Sequence, residues 1–370
     1  MRVLHLYGGN LYGGVERLLA TLAQDRAAAP AIAQEFALCF RGRLWRELEA
    51  AGVAVHPLGA PRASRPWQVR AARQRLRRWL RARPAPPDLA LCHAWWSYAL
   101  FGPALRRAGV PVGLWAHDCA SGRGWLERWA GRHRPDRALA LSDTMASSLQ
   151  HLFPGLHAST WRPPVPLPPP LAPAARAALR RELATPDDAL VVLQASRLEP
   201  WKGHALLLQA LAQLPASAPW VAWLAGGAQR PHERLYLERL RRQADALGLE
   251  PRLRWLGERG DVAALMGAAD VFCQPNTSPE PFGLVFVEAL AAALPVVSCA
   301  GGGASEIVTS TCGRLTEPAP AAVAAALREL LQEPALRREL GSAGRAHAQA
   351  LCDPATQMRR WQQWLLEAAP

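Results

Sequence analysis

The sequence predicts an α/β protein built from two Rossmann-like, doubly wound domains that face a cleft. The chain has 370 residues, half of them hydrophobic, which exceeds one ordinary core and favours two domains. Short apolar runs alternate with helical periodicity along the chain, as in βαβ units. The proline-rich run Pro163–Pro170 interrupts this alternation once, and such a run reads as an extended linker.

The first domain is therefore expected over residues 1–165 and the second over residues 171–352. Each apolar run is short, as expected for strands buried on both faces of a parallel sheet. The segments between them have helical spacing. The predicted strands are Val3–Tyr7, Glu35–Cys39, Val53–Leu58, Leu89–Cys92, Val110–Trp115, Ala138–Leu141, Leu190–Ala195, Val221–Ala225, Leu253–Leu256, Val271–Gln274 and Val296–Cys299.

A separate C-terminal segment, residues 353–370, contains an amphipathic helix over Ala355–Glu367. Its apolar residues, including Trp361 and Trp364, recur at helical spacing and require an apolar surface to pack on. Packing on the first domain, after crossing back, and packing on the second domain remain equal alternatives from the sequence.

Composition limits the class of protein and its compartment. Charged residues are 20% of the chain, as in ordinary globular proteins. No apolar run is long enough to span a bilayer, and Arg2 begins the first strand without a secretory leader. The cysteines are scattered singly and odd in number, which disfavours a disulfide framework or a zinc site and favours a reducing cytoplasm. They are Cys39, Cys92, Cys119, Cys273, Cys299, Cys312 and Cys352.

The chain is strongly basic, with a net charge of +13. Lys202 is the one lysine among 43 basic residues, so the remainder are arginines. The abundance of arginine matches a GC-rich coding bias, but the excess of positive over negative charge favours anionic partners.

A glycine-rich loop, Gly8–Glu16, follows the first predicted strand. Ligands of open α/β sheets bind at the carboxyl ends of strands. Gly13 and Gly14 let the backbone approach a ligand there, and Glu16 opens the following helix. The spacing is not that of a dinucleotide fingerprint, and a simple turn is the structural alternative.

A basic cluster, Ser196–His204, follows the first strand of the second domain. Arg197 and Lys202 stand five residues apart across a strand-to-helix turn, where a guanidinium and an ammonium can hold a diphosphate from two sides. The use of lysine here, in a chain that otherwise uses arginine, favours function over a solvated basic loop.

Two carboxylates, Glu280 and Glu288, flank a loop that leads into a helix. Glu280 is expected near a reacting sugar, and Glu288 is expected to accept ribose hydroxyls. Phe282, Gly283 and Leu284 lie between them, at a helix N-terminus that favours phosphate.

Further candidates follow other strands. His117 comes after the fifth strand, where it can contact a ligand or serve as a structural hydrogen-bonding residue. Gly227 belongs to a glycine turn after another strand, and Ala300–Gly303 forms a third such turn.

Together these motifs resemble the retaining glycosyltransferase family 4, whose fold is GT-B, and the resemblance covers nearly the whole chain. Gly13–Glu16 is similar to its G-G-x-E loop, Arg197 and Lys202 to its paired diphosphate ligands, and Glu280–Glu288 to its two-glutamate motif. His117 matches the family's histidine after a strand. The segment from Leu256 to Phe272, which contains Arg259, resembles the part that meets the nucleotide base. Ala293–Pro295 departs from the family, which usually has glycine before the Leu-Pro step.

The resemblance implies transfer of a sugar from a nucleotide-diphosphate donor, without metal or cofactor, to a glycan, lipid-linked or small-molecule acceptor. A UDP-sugar is favoured and a GDP-sugar is the alternative, in cell-envelope or exopolysaccharide synthesis. The catalytic candidates are His117, Arg197, Lys202 and Glu280. The substrate-binding candidates are Gly13, Gly14, Glu16, Gly227, Arg259, Phe282, Gly283, Leu284 and Glu288.

Two other classes compete with this interpretation. A nucleic-acid-binding protein would fit the charge, but the sequence has no helix-turn-helix, zinc or RNA-binding motif. A sugar-nucleotide epimerase would fit the same architecture and would act on the donor without an acceptor. A pyridoxal-phosphate phosphorylase is disfavoured because the one lysine lies in the basic cluster.

Residues 62–83 carry nine arginines and no acidic residue. An outer helix with inward apolar residues and solvated arginines explains this pattern. An anionic membrane surface at the inner face of the membrane is a compatible partner, because a basic helix with tryptophans can lie among lipid headgroups.

Overall fold

The structure is a computed structural model that describes residues 1–9 and 12–367. It divides into two compact units, of which the first comprises Met1–Pro164 with Pro354–Pro370, and the second comprises Val165–Asp353. The division falls within the proline-rich run, which has no regular secondary structure.

The first unit contains a seven-stranded sheet in the order β3-β2-β1-β4-β5-β6-β7. Every described pairing in it is parallel, so all strands end at one carboxyl edge. Its elements are β1 (Arg2–Tyr7), α1 (Gly14–Gln24), β2 (Ala33–Leu38), α2 (Arg43–Ala50), β3 (Ala54–Pro57), α3 (Pro66–Arg81), β4 (Leu89–His93), α4 (Ala94–Arg106), β5 (Val112–Trp115), α5 (Trp125–Ala130), β6 (Arg137–Ala140), α6 (Asp143–Ser148) and β7 (Ala158–Thr160), with 3-10 turns at Asp25–Ala28 and Leu149–His151.

The second unit contains a six-stranded parallel sheet in the order β10-β9-β8-β11-β12-β13. Its strands also share one carboxyl edge. Its elements are α7 (Pro173–Glu182), β8 (Leu190–Ala195), α8 (His204–Leu211), β9 (Trp220–Ala225), α9 (Pro231–Ala246), β10 (Leu253–Gly257), α10 (Val262–Ala268), β11 (Val271–Gln274), α11 (Leu284–Ala291), β12 (Val296–Cys299), α12 (Gly303–Ile307), β13 (Gly313–Thr316), α13 (Pro320–Gln332) and α14 (Pro334–Cys352), with 3-10 turns at Pro200–Lys202 and Glu250–Arg252.

Several helices of the second unit begin with proline. Pro173, Pro231, Pro320 and Pro334 each occupy the first turn of their helix. Proline is well suited to this position because its fixed φ is helical and the N–H that it lacks would have no partner inside the helix. The proline-rich composition therefore serves helix starts as well as the linker.

The strands pack as the apolar runs predict. Every residue of β4, β9, β11 and β12 is buried, as expected for strands covered by helices on both faces. In the second unit, the apolar core joins strand residues such as Leu224 to helix residues such as Leu207 and Leu327.

The helix α15 (Pro354–Leu366) follows the second unit in sequence but packs on the first. The Trp161 indole donates a hydrogen bond to the Gln357 carbonyl oxygen at 2.8 Å. The Arg137 guanidinium lies 4.0 Å from the Trp364 ring, and Trp361 is fully buried. Of the two surfaces that the sequence allowed for this segment, α15 covers the one on the first unit.

Among the residues that the structure describes, none of the helices has the length and apolarity needed to cross a bilayer.

Candidate active site

The carboxyl edge of the second sheet brings two loops into close contact. Gly203, the N-cap residue of α8, has a φ of +77°, and a Cβ built there would lie 1.8 Å from the Pro275 carbonyl oxygen. Only glycine permits both this left-handed backbone and this approach. The contact fixes the loop after β8 against the loop after β11, and so unites two motifs that are far apart in sequence.

A buried ion pair joins these loops. The Lys202 ammonium lies 2.8 Å from the Glu280 carboxylate, and the two side chains are 12% and 8% exposed. The Asn276 side-chain amide donates to the same carboxylate oxygen at 2.6 Å, and the Gln274 side-chain amide donates to Asn276 Oδ1 at 3.1 Å. Burial lowers the pKa of Lys202, although the Glu280 carboxylate acts in the opposite direction. The ammonium is thus held in one position, where attraction to an anion is weakly screened.

The network continues outward to Arg197. The Lys202 ammonium lies 3.9 Å above the Trp201 ring, and the Trp201 indole donates to the Glu199 carboxylate at 2.9 Å. Glu199 in turn pairs with Arg197 at 2.9 Å, and the Arg197 side chain is 42% exposed. We call Arg197, Glu199, Trp201, Lys202, Asn276 and Glu280 the edge network. It contains three of the four predicted catalytic residues.

The loop after Glu280 leads into α11. Gly283 precedes this helix with a φ of +98°, Phe282 is buried, and Leu284 and Glu288 are partly buried. The Glu280 carbonyl oxygen accepts a hydrogen bond from the Gly303 N–H at 2.7 Å, which ties this loop to the glycine turn after β12. These predicted residues therefore continue the same edge.

Gly227 and Arg259 lie further along this edge, on the loops after β9 and β10. A Cβ at Gly227 would come within 2.8 Å of the Glu258 side chain, so these two loops are also in contact. The Arg259 guanidinium binds Asp261 at 2.6 and 2.7 Å and Glu182 at 3.4 Å. Its charge is therefore directed to carboxylates outside the edge network.

In the first unit, Glu16 holds the predicted glycine loop together. Its carboxylate accepts hydrogen bonds from the Tyr7 hydroxyl at 2.6 Å and from the Gly13 N–H at 2.9 Å. These bonds fix Gly13 and Gly14 at the start of α1. Asn10 and Leu11, also in the predicted loop, lie outside the described residues.

His117 belongs to a chain of three buried histidines, which we call the histidine chain. His5 Nδ1 lies 2.9 Å from His93 Nε2, and His93 Nδ1 lies 3.0 Å from His117 Nε2. Burial lowers the pKa of His5 and of His117 to about 3 and holds that of His93 well below its usual value. The histidine chain is therefore neutral at physiological pH.

Sequence reasoning missed several residues of these two clusters. Glu199 and Trp201 stand inside the quoted basic cluster, so their proximity to Lys202 was available from spacing. Asn276 follows β11 at the same edge, a position typical of ligand-contacting residues. His5 and His93 lie within apolar strands. A histidine in such a strand is expected to be buried, and this expectation could have marked both residues as candidates.

No group of three or more His, Cys, Asp or Glu side chains that could hold a metal ion occurs within residues 1–9 and 12–367.

Two family models match the chain and together cover most of it. Residues 12–167 match "Glycosyltransferase Family 4", and residues 175–347 match "Glycosyl transferases group 1". The chain belongs to glycosyltransferase family 4. The predicted family and enzyme class are confirmed, and the epimerase and nucleic-acid-binding alternatives are disfavoured.

Curated relatives of this glycosyltransferase include enzymes that act on inositol compounds. The D-inositol 3-phosphate glycosyltransferase of Streptomyces griseus is 29% identical, over 94% of this chain and 83% of the relative. A GDP-mannose-dependent monoacylated alpha-(1-6)-phosphatidylinositol monomannoside mannosyltransferase of Corynebacterium glutamicum is 34% identical. That match spans 49% of this chain and only 48% of the relative's length, and several other relatives are likewise matched over about half of their length.

Solved structures confirm the predicted GT-B architecture. Anabaena HepE, solved in complex with UDP-glucose, superimposes with a TM-score of 0.86 and 26% identity over 99% of this chain and 100% of that one. A sucrose-phosphate synthase from Thermosynechococcus elongatus has the same fold at 20% identity and a TM-score of 0.82. The protein therefore has the GT-B fold of these glycosyltransferases.

Proposed function

We propose that this glycosyltransferase transfers a sugar with retention of anomeric configuration and without a metal ion, and that the edge network binds the donor diphosphate. The observation that carries the proposal is the buried Lys202–Glu280 pair, held by Asn276 at the carboxyl edge of the second sheet.

The leaving diphosphate gains negative charge as the glycosidic bond breaks. A fixed ammonium at Lys202 and a half-exposed guanidinium at Arg197 supply positive charge where that charge grows. Charges that are positioned in advance stabilise the transition state without reorganising during the reaction. The N-terminus of α11, which begins after Gly283, adds a favourable dipole for phosphate. This arrangement supplies the stabilisation for which other transferases use a metal ion.

The remaining donor contacts follow from the order of loops along the edge. Glu280 is assigned to the reacting sugar and Glu288 to the ribose. Phe282, Gly283 and Leu284 line the turn into α11 beside the phosphates. Gly227 and Arg259 are assigned to the end of the donor that carries the base. Arg259 is already bound by Asp261 and Glu182, so its contribution is expected to be smaller than that of Lys202.

The first unit is assigned to the acceptor and to sugar hydroxyls. Gly13 and Gly14 present backbone at its carboxyl edge, with Glu16 shaping the loop through its bonds to Tyr7 and Gly13. His117, at the end of β5, offers a neutral imidazole for hydroxyl contacts.

A UDP-sugar is the favoured donor. Support comes from HepE, whose structures hold UDP and UDP-glucose. A GDP-sugar is the second candidate, because the Corynebacterium relative is named for GDP-mannose. The relatives named for phosphatidylinositol and for lipopolysaccharide core synthesis support a lipid-linked or glycan acceptor in the cell envelope.

The first experiment is a donor screen. The full chain is incubated with UDP-glucose, UDP-galactose and GDP-mannose, and nucleotide diphosphate release is measured with and without EDTA. We expect release from one UDP-sugar at an EDTA-insensitive rate, and α-configured product by proton NMR once an acceptor is found. Loss of activity in EDTA that returns with added metal would refute the metal-independent mechanism, and an inverted anomer would refute retention.

A second proposal concerns the surface of α3. Trp67 is 66% exposed, and at 100° per residue it shares a helix face with Arg70, Arg78 and Arg81, which are also exposed. The opposite face, with Val69 and Leu76, is buried. An exposed tryptophan among solvated arginines supports peripheral binding to an anionic membrane at its inner face.

Arg73 is not part of this face. Its guanidinium donates to the carbonyl oxygens of Leu100 at 2.6 Å and Ala99 at 3.3 Å. The test therefore compares wild type with the triple variant Arg70→Glu, Arg78→Glu, Arg81→Glu by sedimentation with vesicles of increasing phosphatidylglycerol content. Each arginine is expected to contribute about 1 kcal/mol of binding free energy. Equal binding of the two proteins, or binding that ignores the anionic lipid, would exclude the proposal.

A further inference from the structure

The histidine chain runs diagonally across one face of the first sheet. His5 of β1 pairs in register with Leu91 of β4, two residues before His93. His93 pairs with Trp115 of β5, two residues before His117. Because side chains alternate along a strand, these offsets keep all three imidazoles on one face. Each step moves two residues nearer the carboxyl edge, so the chain connects the interior of the sheet to the edge where ligands bind.

Hydrogen bonding couples the protonation of the three rings. Each neutral imidazole has one N–H and one bare nitrogen. His93 therefore donates to one neighbour and accepts from the other, and the N–H groups must all point in the same direction along the chain. Only two arrangements satisfy both hydrogen bonds: the protons point towards His117 or towards His5.

The surroundings of His5 and His117, the two end members of the histidine chain, distinguish these arrangements. Nε2 of His5 and Nδ1 of His117 are buried and have no hydrogen-bond partner in the described parts of the chain. The His5 ring stacks with those of Phe36 and Trp361, with ring centroids at 4.8 and 5.9 Å. The Trp361 indole N–H is itself buried without a partner within residues 1–9 and 12–367, and an indole can only donate. A proton on Nε2 of His5 would place a second buried donor without a partner beside this indole, which is unfavourable. A proton on Nδ1 of His117 lies instead at the carboxyl edge, where a bound ligand can accept it.

We propose that His5 and His93 are positioning residues that hold His117 in the tautomer with its proton on Nδ1, so that His117 donates a hydrogen bond to a hydroxyl oxygen of the sugar substrate. The sugar as ligand rests on the proposed function, whereas the tautomer rests on the histidine chain alone.

This device suits recognition of a neutral ligand. Burial keeps all three rings uncharged, so the donor group at His117 does not attract phosphate in place of a hydroxyl. A site built to donate to a hydroxyl rejects an analogue that lacks it, because the buried N–H then has no partner. His117 is therefore expected to discriminate a sugar from the corresponding deoxy sugar.

The first experiment measures the tautomer directly. The full chain is labelled with ¹⁵N-histidine, and the nitrogen shifts, which differ between N–H and bare nitrogens, are recorded at neutral pH. Loss of one set of signals in His117→Gln assigns His117. We expect a proton on Nδ1 of His117 in the wild type. A proton on Nε2 of His117 would overturn the proposal.

The second experiment replaces His5, the histidine furthest from the carboxyl edge. His5→Phe keeps a ring that can stack with Phe36 and Trp361 but removes the hydrogen bond to His93. We expect His117 to shift towards the Nε2–H tautomer and kcat/KM to fall roughly 3- to 10-fold, the effect of one neutral hydrogen bond. Phe36→Leu is the matched control, because it loosens the packing on His5 and removes no nitrogen. It should leave the His117 tautomer and kcat/KM unchanged.

The outcomes separate this inference from the proposed function. If no nucleotide sugar is turned over, the proposed function fails, but the tautomer measurement still decides whether the histidine chain acts as described. If transfer proceeds and the His117 tautomer is the same in His5→Phe as in the wild type, the positioning role is overturned and the glycosyltransferase assignment stands.

Discussion

The carboxyl edges of the two sheets share a parallel topology but differ in the charge of the residues that they carry. The second edge carries a buried ion pair between Lys202 and Glu280 that extends to Arg197. At the first edge, His117 follows β5 as the outer member of the neutral histidine chain, and the Glu16 carboxylate accepts hydrogen bonds from Tyr7 and Gly13. Two sheets of one architecture thus differ in the cations that they present: the second edge holds an ammonium and a guanidinium, whereas the first holds a neutral imidazole. The difference resides in a few residues at the ends of the strands.

This difference matches the two kinds of ligand that a glycosyltransferase must hold. A diphosphate carries formal charge, which a fixed ammonium stabilises. Sugar and acceptor hydroxyls are neutral, and an uncharged imidazole binds them without attracting phosphate. The comparison therefore predicts that charge removal harms the second edge far more than removal of one hydrogen bond harms the first.

The largest expected effect is that of Lys202→Ala. Loss of a charged ligand to the leaving group should cost about 2–4 kcal/mol of transition-state stabilisation, measured as kcat/KM for the donor. His117→Phe, at the uncharged edge, should cost about 0.5–1.5 kcal/mol. The control is Arg314→Ala, which removes an ion pair with Glu329 at 2.8 Å and no part of the edge network. Equal losses in the first two variants would break the comparison, and wild-type kinetics in Lys202→Ala would remove the donor-site assignment.

The second prediction tests how the charged edge is assembled. Gly203→Ala places a Cβ against the Pro275 carbonyl oxygen as well as in a left-handed backbone, so it should lower the free energy of unfolding by about 2–4 kcal/mol. Gly248 has a similar φ of +67°, but a Cβ there would have no atom within 4 Å. Gly248→Ala should therefore lower the free energy of unfolding by only about 1–2 kcal/mol. Chemical denaturation measures both. Equal costs would mean that contact between the two loops does not hold the edge together.

The third prediction uses acid to test the uncharged edge. Burial depresses the pKa of His5 to about 3 in the folded protein, while an unfolded histidine titrates near 6.5. Between these values the unfolded chain binds more protons, so the stabilising effect of the neutral ring is complete above about pH 6.5 and is lost as the pH falls towards 3. Each such histidine adds up to about 1.4 kcal/mol per pH unit to the slope.

His5→Phe should therefore reduce the dependence of unfolding free energy on pH between 6 and 5. Phe36→Leu should lower stability at every pH and keep the wild-type slope, because it leaves the titrating group in place. An unchanged slope in His5→Phe would show that His5 is not a buried neutral histidine.

Most of the fold was predictable because its strands are covered on both faces. Buried strands such as Val271–Gln274 read as continuous apolar runs with sharp ends. The two strands that the sequence missed, β7 and β13, are short and only partly buried at Ala158–Thr160 and Arg314–Thr316. Edge strands of this kind lack the apolar signal, and their pairing with a neighbour becomes visible only in three dimensions.

The candidate site was predictable where chemistry and spacing coincide. The lone lysine and the two glutamates of the Glu280–Glu288 segment stood out by residue type. Their direct pairing did not, because Lys202 and Glu280 are 78 residues apart and meet through the loop contact at Gly203. The histidine chain was missed for the same reason: His5 and His93 belong to different strands, and register alone brings them within hydrogen-bonding distance.

The return of α15 to the first unit has a consequence for how the molecule folds. The Ala31 N–H donates to the Gln362 side chain across 331 residues of sequence, and Trp361 covers His5. Contacts of such high sequence separation form late, because the intervening chain must be brought together first. During synthesis, the part of the first sheet around His5 lacks the cover of Trp361 until the second unit has been made. Apolar surface left exposed at this stage favours aggregation, so the late docking of α15 is a step of synthesis that chaperones would protect.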